Sequence, residues 1–366
     1  MTTHHDLPRL VIVGSGSLAR AVCYSLSGLI DVQAEVLVIA RDGRQAAEIS
    51  QVSNVRAAVL RSPVRFTHAA VDFGRDDDLT EVLAANPPTG LLLCASLQSP
   101  WEFRSAPSAW SDLLKQAGFG LSLTFHAELA VAVGRALHDV RPEAFFLNAC
   151  FPDAVNPLLR ACGVPVLAGV GNVAVLAAGI QQALNLCDQE ELVVLGHHLH
   201  LRAPDDSADD ALAWHAGQPL TVGTLLNSQR EVPRHEANQV TGLVTALLLR
   251  DMVAGRQVNT HLPGPAGLPG GYPVTISADR VSLRLPAFIA DADAVAANQR
   301  WAVLDGVKID EGKVHFSPAT ADRLIAHLPD IAAGFEIADL SSAGVRMAEL
   351  RTRLRTLPST SPSLSV

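Results

Sequence analysis

Two stretches of this chain combine residue types and spacings that could do chemistry. Leu192-Val193-Val194-Leu195 runs into Gly196-His197-His198. That places a histidine at the end of an apolar strand, where a side chain titrating near neutral pH can give or take a proton. Leu10-Val11-Ile12-Val13 runs into Gly14-Ser15-Gly16-Ser17-Leu18-Ala19, a buried strand feeding a glycine turn and then a helix. This is the form that seats a dinucleotide pyrophosphate. Gly14 makes the tight turn and Gly16 lets the backbone approach the phosphates. Ala19 permits close helix–strand packing, and free amides with the helix dipole face the anion. An acid/base histidine together with a dinucleotide turn implies hydride transfer; neither names the substrate.

The end of the second strand bears on the cofactor. A carboxylate there would accept both ribose hydroxyls of NAD, but the sequence reads Val38-Ile39-Ala40-Arg41-Asp42-Gly43-Arg44. A guanidinium at Arg41, with Arg44 nearby, suits a 2′-phosphate. NADP is therefore expected, with NAD through Asp42 as the alternative. Asp42 could instead cap the next helix and leave Arg41 as a solvated charge.

Other groupings carry less. His197, His198, His200, His235 and His261 lack the usual metal-ligand spacing and a neighbouring carboxylate or Cys-x-x-Cys, so no metal is expected. Cys150, in an apolar run, reads as an inert core thiol. Gly264 to Pro273 reads as a fixed turn that neither helix nor strand could tolerate. Arg351, Arg353 and Arg355 read as the solvated face of a last helix.

The elements that must position these groups alternate through the first half. Apolar runs of strand length lie at Leu10–Val13, Val36–Ile39, Val64–Ala69, Leu91–Cys94 and Ala144–Leu147, with helical spacing at Ala19–Leu26, Arg44–Leu60 and Ala127–Leu137. Such alternation marks a parallel sheet covered by helices on both faces. The second half is expected to hold a short strand at Val166–Ala168, a helix at Val173–Leu186 and a strand at Glu191–Leu199. A polar, loop-rich stretch from Ala203 to Pro233 follows, then a helix from His235 to Ala254. An antiparallel pair at Val274–Ile276 and Val281–Leu285 precedes two closing helices, Pro318–Leu328 and Leu340–Leu354. The fold class is α/β: a doubly wound parallel sheet of the Rossmann type (1–150), then an α+β substrate domain with antiparallel strands (151–356) and a disordered tail (357–366).

Composition bounds the function. The 366 residues are 48% apolar and 18% charged, enough for a large core in two domains. A net charge of -9 argues against nucleic acid and anionic membranes as partners. There is no apolar run of spanning length and no signal-peptide pattern, and five scattered cysteines suit a reducing compartment. A cytoplasmic protein acting on a small molecule is expected.

Both halves together resemble the lactate/malate dehydrogenase superfamily, distantly, from about Leu10 to Leu328. The carriers are the glycine turn; Asn148 followed by Pro152-Asp153; Val166-Leu167-Ala168-Gly169; Gly196-His197-His198; and Gly267 to Pro286 leading to Asp305-Gly306-Val307. The resemblance implies that His198 is the acid/base. It also implies that Asn148 contacts nicotinamide or substrate, that Arg104 matches a loop arginine polarising the carbonyl, and that His235 and Asn238 line the substrate site. A homodimer or tetramer is implied as well.

The departures are as informative. In the family, the helix after Gly169 carries an Asp that orients the histidine and an Arg that clamps a substrate carboxylate. Here Gly171-Asn172-Val173-Ala174-Val175-Leu176-Ala177-Ala178 has neither acid nor base. Counting from the glycine puts Val175 and Ala178 in those places; counting from the helix end makes Asn172 the stand-in for the Asp. Without the clamp, a small 2-keto acid loses its main hold. A larger, more apolar substrate is expected, given Trp101, Phe103 and Phe151. The expected reaction is reduction of C=O by NADPH with His198 as general acid. The alternatives are an opine-type or imine reductase, and a nucleotide-binding protein that kept the fold and lost the chemistry.

Overall fold

Leu10 and Ile12 lie in one apolar cluster and Val11 and Val13 in another, so the first strand is buried on both faces. That is the environment of a central strand in a parallel sheet. The computed structural model describes residues 7–75, 77–99, 102, 106–277 and 280–360.

Six parallel strands form the sheet: β1 (Arg9–Val13), β2 (Glu35–Ala40), β3 (Arg65–Ala70), β4 (Gly90–Leu93), β5 (Phe145–Asn148) and β6 (Ala168–Gly169), in the order β3-β2-β1-β4-β5-β6. This is the doubly wound order expected, with its reversal between β1 and β4. Helices α1 (Ser17–Leu29) and α2 (Gly43–Leu60) help cover one face. Helices α3 (Asp78–Ala85), α4 (Ala109–Ala117) and α5 (Leu123–Val140) belong to the cluster on the other. Asp42 caps α2, its carboxylate accepting from the amides of Arg44 at 3.0 Å and Gln45 at 3.4 Å.

The second half begins with α6 (Pro152–Ala161), α7 (Val173–Ala183) and β7 (Leu192–Leu195). The strand expected to run to Leu199 stops at Leu195, and His198–Leu201 turn into a short 3₁₀ helix. His198 and His200 therefore do not share a strand face.

The stretch expected to be loop is also structured. Strands β8 (Leu212–His215) and β9 (Gln218–Leu220) pair antiparallel with each other, β8 pairs with β7, and α8 (Val222–Arg230) follows. Val222 and Leu226 pack with Val173, Leu176 and Val194 in a small core of their own.

Helix α9 (Arg234–Val253) crosses α1 so closely that a Cβ on Gly242 would sit 2.4 Å from that of Ala21. Strands β10 (Val258–Pro263), β11 (Gly271–Ser277) and β12 (Arg280–Leu283) form an antiparallel sheet. The glycine- and proline-rich stretch thus enters a strand, with Pro273 opposite His261. Helix α10 (Asp291–Leu304), strands β13 (Val307–Asp310), β14 (Lys313–Phe316) and β15 (Gly334–Glu336), α11 (Pro318–Leu324) and α12 (Leu340–Arg355) complete the chain.

Helix α12 returns to the first half. Met347 and Leu350 lie in the same cluster as Val11 and Val13. Of Arg351, Arg353 and Arg355, two are tethers, correcting their reading as a solvated face. Arg351 donates to the carbonyl of Leu97 at 2.6 Å and lies over Phe125, and Arg355 pairs with both oxygens of Glu102 at 2.6 Å. The start of the expected tail is likewise held: Ser359 donates to Asp112 at 2.8 Å and the Thr360 amide at 2.7 Å.

Candidate active site

The glycine turn is built as its residues require. Gly14 adopts φ +133°, and a Cβ there would lie 3.0 Å from the backbone carbonyl of Cys94, just past the end of neighbouring β4. Only glycine fits that close approach. Gly16 begins α1 with open space around it and no side chain capping the first turn. The helix therefore presents unsatisfied amides to whatever binds there.

The flanking residues are tied in or packed. Ser15 donates to Gln45 at 2.9 Å, Ser17 accepts from Asn238 at 2.8 Å, and Leu18 and Ala19 pack inward. Arg41 is exposed just past β2, and among the described residues no carboxylate pairs with it. Arg44 reaches Glu48 at 3.4 Å. The cradle fits a dinucleotide pyrophosphate.

The second centre lies beyond the carboxyl end of β5. Phe151, with φ 50° and ψ 52°, holds a left-handed conformation rare for a phenylalanine, and Pro152 then opens α6. This strained entry sets Asp153 in the first turn of the helix, buried. One Asp153 oxygen accepts the His198 backbone amide at 3.0 Å, and the other accepts the Asn172 side-chain amide. Asn172, at φ 36°, begins α7. It therefore reaches His198 through Asp153 and the backbone, not through the imidazole.

The imidazole has a carboxylate partner from elsewhere. His198 Nδ1 lies 3.0 Å from Oδ2 and 3.4 Å from Oδ1 of Asp305, the residue that terminates α10. A carboxylate only accepts, so the pair assigns the proton to Nδ1 and leaves Nε2 as the working nitrogen. Among the described residues no group hydrogen-bonds Nε2. No acid lies on α7 near His198, and the carboxylate beside the imidazole comes from the end of α10. Asp305 escaped sequence reasoning because it lies 107 residues from His198, at a helix end with no local spacing signal. His197 points its own Nδ1 at the same oxygen from 3.5 Å, fully buried.

Aromatic rings enclose the pair. Phe119 stacks on His198 with 4.4 Å between centroids, and Phe151 meets it edge-on at 5.5 Å. Behind them His126 lies 5.4 Å from Phe119, both its ring nitrogens buried without a partner. Burial, reinforced by His198 nearby, pushes its imidazole down to about 3.

The remaining expected residues are placed as follows. Asn148 is buried at the end of β5 and spends its side chain on the protein: its oxygen accepts from the Cys150 amide at 2.8 Å, and its amide donates to Asn156 at 2.9 Å. Asn238 stands at the glycine turn, its side-chain amide donating to Ser17 at 2.8 Å. His235 is exposed at the start of α9, with Glu236 as its ion-pair neighbour at 3.5 Å. Arg104, with Trp101 and Phe103, lies outside the described residues. Cys150 is buried, its thiol pushed up to about 12 by burial and donating to the Ala95 carbonyl at 3.0 Å, which suits an inert core residue.

No protein-family model matches the chain, and no curated protein matches it either. Solved structures do. A malate dehydrogenase from Archaeoglobus fulgidus, in complex with NADH, superposes with a TM-score of 0.55 at 14% identity, over 81% of this chain and 96% of that one. The lactate dehydrogenase from Cryptosporidium parvum, complexed with lactic acid and nicotinamide adenine dinucleotide, gives 0.52 at 12% identity, over 82% and 97%. A malate dehydrogenase from Salinibacter ruber gives 0.51 at 13% identity, over 81% and 95%. The chain has the fold of the lactate and malate dehydrogenases.

Proposed function

We propose that this chain is an NADPH-dependent oxidoreductase in which His198 protonates the oxygen of a substrate carbonyl, or the nitrogen of an imine, as hydride reaches the carbon. The observation that carries this is the His198–Asp305 pair, set beyond the carboxyl edge of the sheet whose first strand ends in the glycine turn. The bound nicotinamide supplies the hydride. Gly14, Gly16 and the first amides of α1 hold the pyrophosphate. Asp305 fixes the Nδ1–H tautomer and carries the countercharge of the imidazolium form, while Nε2 faces the substrate. A chain that had kept only the fold would have no need of this pairing.

The preference for NADPH rests on two neighbours. Asp42, the acid that would take the ribose hydroxyls of NAD, bonds the amides of α2, whereas Arg41 beside it is exposed and unpaired among the described residues. NAD through Asp42 is the alternative. The substrate is a small molecule not clamped by a carboxylate: Val173 to Ala177 of α7 are buried and apolar, and the rings around His198 suit an apolar body.

None of the described helices is long and apolar enough to cross a membrane, and the free thiols of all five cysteines fit a cytoplasmic setting. A homodimer or tetramer is the assembly proposed, with the exposed stripe of Val52, Val55 and Val59 on α2 as the apolar surface it would cover. The reading is tested by a crystal structure with NADPH. The dihydropyridine ring should lie at the ends of β4 and β5, facing His198; a ring held away from His198 would overturn it.

A further inference from the structure

The turn that carries His198 is gripped at a third residue, His200, and the grip joins it to the helix that carries Asp305. His200 is buried with both ring nitrogens used. Nδ1 accepts the His197 amide at 2.8 Å, and Nε2 faces the carbonyl of Asp209 at 2.9 Å, which makes Nε2 the donor. The two bonds need the neutral ring, with its proton on Nε2.

Its carbonyl is held too, by Arg230 Nε at 3.1 Å. The other two Arg230 nitrogens fork onto Asp210 at 2.6 and 3.1 Å, in a pair only 6% and 12% exposed. Fixed bidentate geometry of this kind restrains direction as well as distance. Segment 209–230 therefore holds His200 by its ring and by its backbone. The ring also meets Trp301 edge-on, 4.6 Å between centroids. Trp301 lies one turn before Asp305 on α10, and its carbonyl accepts the Asp305 amide at 2.9 Å. The turn and the helix thus touch at two rungs, His198 on Asp305 and His200 on Trp301.

We infer that His200 is a positioning residue that sets the register between the His198 turn and the Asp305 helix, and that Arg230 and Asp210 lock it there. This assigns a task to β8, β9 and α8, which carry no group of the candidate site yet build a core around the clamp. Burial, against the Asp209 carbonyl and with His197, Asp210 and Arg230 as the ionisable neighbours, brings the His200 imidazole down to about 4, so the clamp keeps its neutral form in mildly acidic solution. The inference rests on His198 and Asp305 being the proton-handling pair, but its test needs no substrate.

The test is NMR of the full-length protein with isotope-labelled histidine, reading the tautomer of His198 and the solvent exchange of its Nδ1 proton. The parent should show the Nδ1–H form with a protected proton. His200→Phe keeps a ring against Trp301 and removes both hydrogen bonds. It should speed that exchange by about tenfold or more and mix the tautomers, while the melting transition stays single. Arg230→Lys keeps the charge and loses the fork, and should give a smaller change of the same kind. His200→Gln, whose amide can still donate to Asp209, should recover part of the protection. An unchanged His198 signal in folded His200→Phe overturns the inference. If that variant does not fold, an unchanged signal in Arg230→Lys overturns it. Full turnover in a His198 variant would instead refute the catalytic reading and leave the signal's dependence on His200 standing.

Discussion

His198 Nδ1 and Asp305 Oδ2 are 3.0 Å apart although 107 residues separate them in sequence. The resemblance implied an orienting acid on the helix after β6; Val173 to Ala177 of that helix are buried and apolar, and the carboxylate beside His198 comes from the end of α10. Under the proposed function the orienting carboxylate is Asp305, so the two helices should respond differently to mutation.

Asp305→Asn preserves shape but lets the neutral imidazole reverse its tautomer. Turnover of the substrate should fall by about two to four orders of magnitude, with NADPH affinity within a few-fold of the parent. Asn172→Ala breaks only the contact to Asp153 and should cost less than about tenfold. Steady-state kinetics of the two variants side by side decides the matter. A larger loss from Asn172→Ala would return the orienting role to α7.

Acid stability follows from the buried histidines. Burial lowers His126 and His261 from 6.5 to about 3 and His200 to about 4. The unfolded chain therefore binds protons that the folded one does not. Stability is intact above about pH 6.5 and falls as pH drops toward the folded values. At pH 5 each such histidine costs about 2 kcal/mol. His126, with neither ring nitrogen partnered, is the cleanest probe. His126→Leu should cut the stability lost between pH 7.5 and pH 5 by about 2 kcal/mol, measured by urea unfolding at both pH values. An unchanged loss would mean that His126 is hydrated or already paired.

Cofactor choice needs no substrate to test. NADPH should bind at least about tenfold tighter than NADH, roughly 1.4 kcal/mol, when followed by nicotinamide fluorescence. Arg41→Ala should remove most of that preference. Equal affinities in the parent would transfer the ribose contact to Asp42.

The sheet was legible because parallel strands buried on both faces write themselves as short apolar runs: the expected Leu10–Val13 and Leu91–Cys94 are found as Arg9–Val13 and Gly90–Leu93, each end within a residue. The glycine turn was legible because Gly14 answers a local demand, a left-handed φ beside Cys94. What depended on tertiary pairing was not. Strands β8 and β9 are short and half-exposed and gain their order from β7, so composition alone showed a polar loop. Asp305 stood out only as part of Asp305-Gly306-Val307, and the fold alone brings it to His198. Asn238 was assigned to substrate by analogy, whereas the close crossing of α1 and α9 at Ala21 and Gly242 carries it to Ser17.

The central claim is that His198 is the proton donor, and His198→Gln tests it most directly. With the true substrate and saturating NADPH, turnover should fall by about two to four orders of magnitude, while NADPH affinity stays within a few-fold, since the side chain lies away from the pyrophosphate turn. Full turnover in His198→Gln would mean that the proton comes from another group, and that the chain shares the dehydrogenase fold without its chemistry.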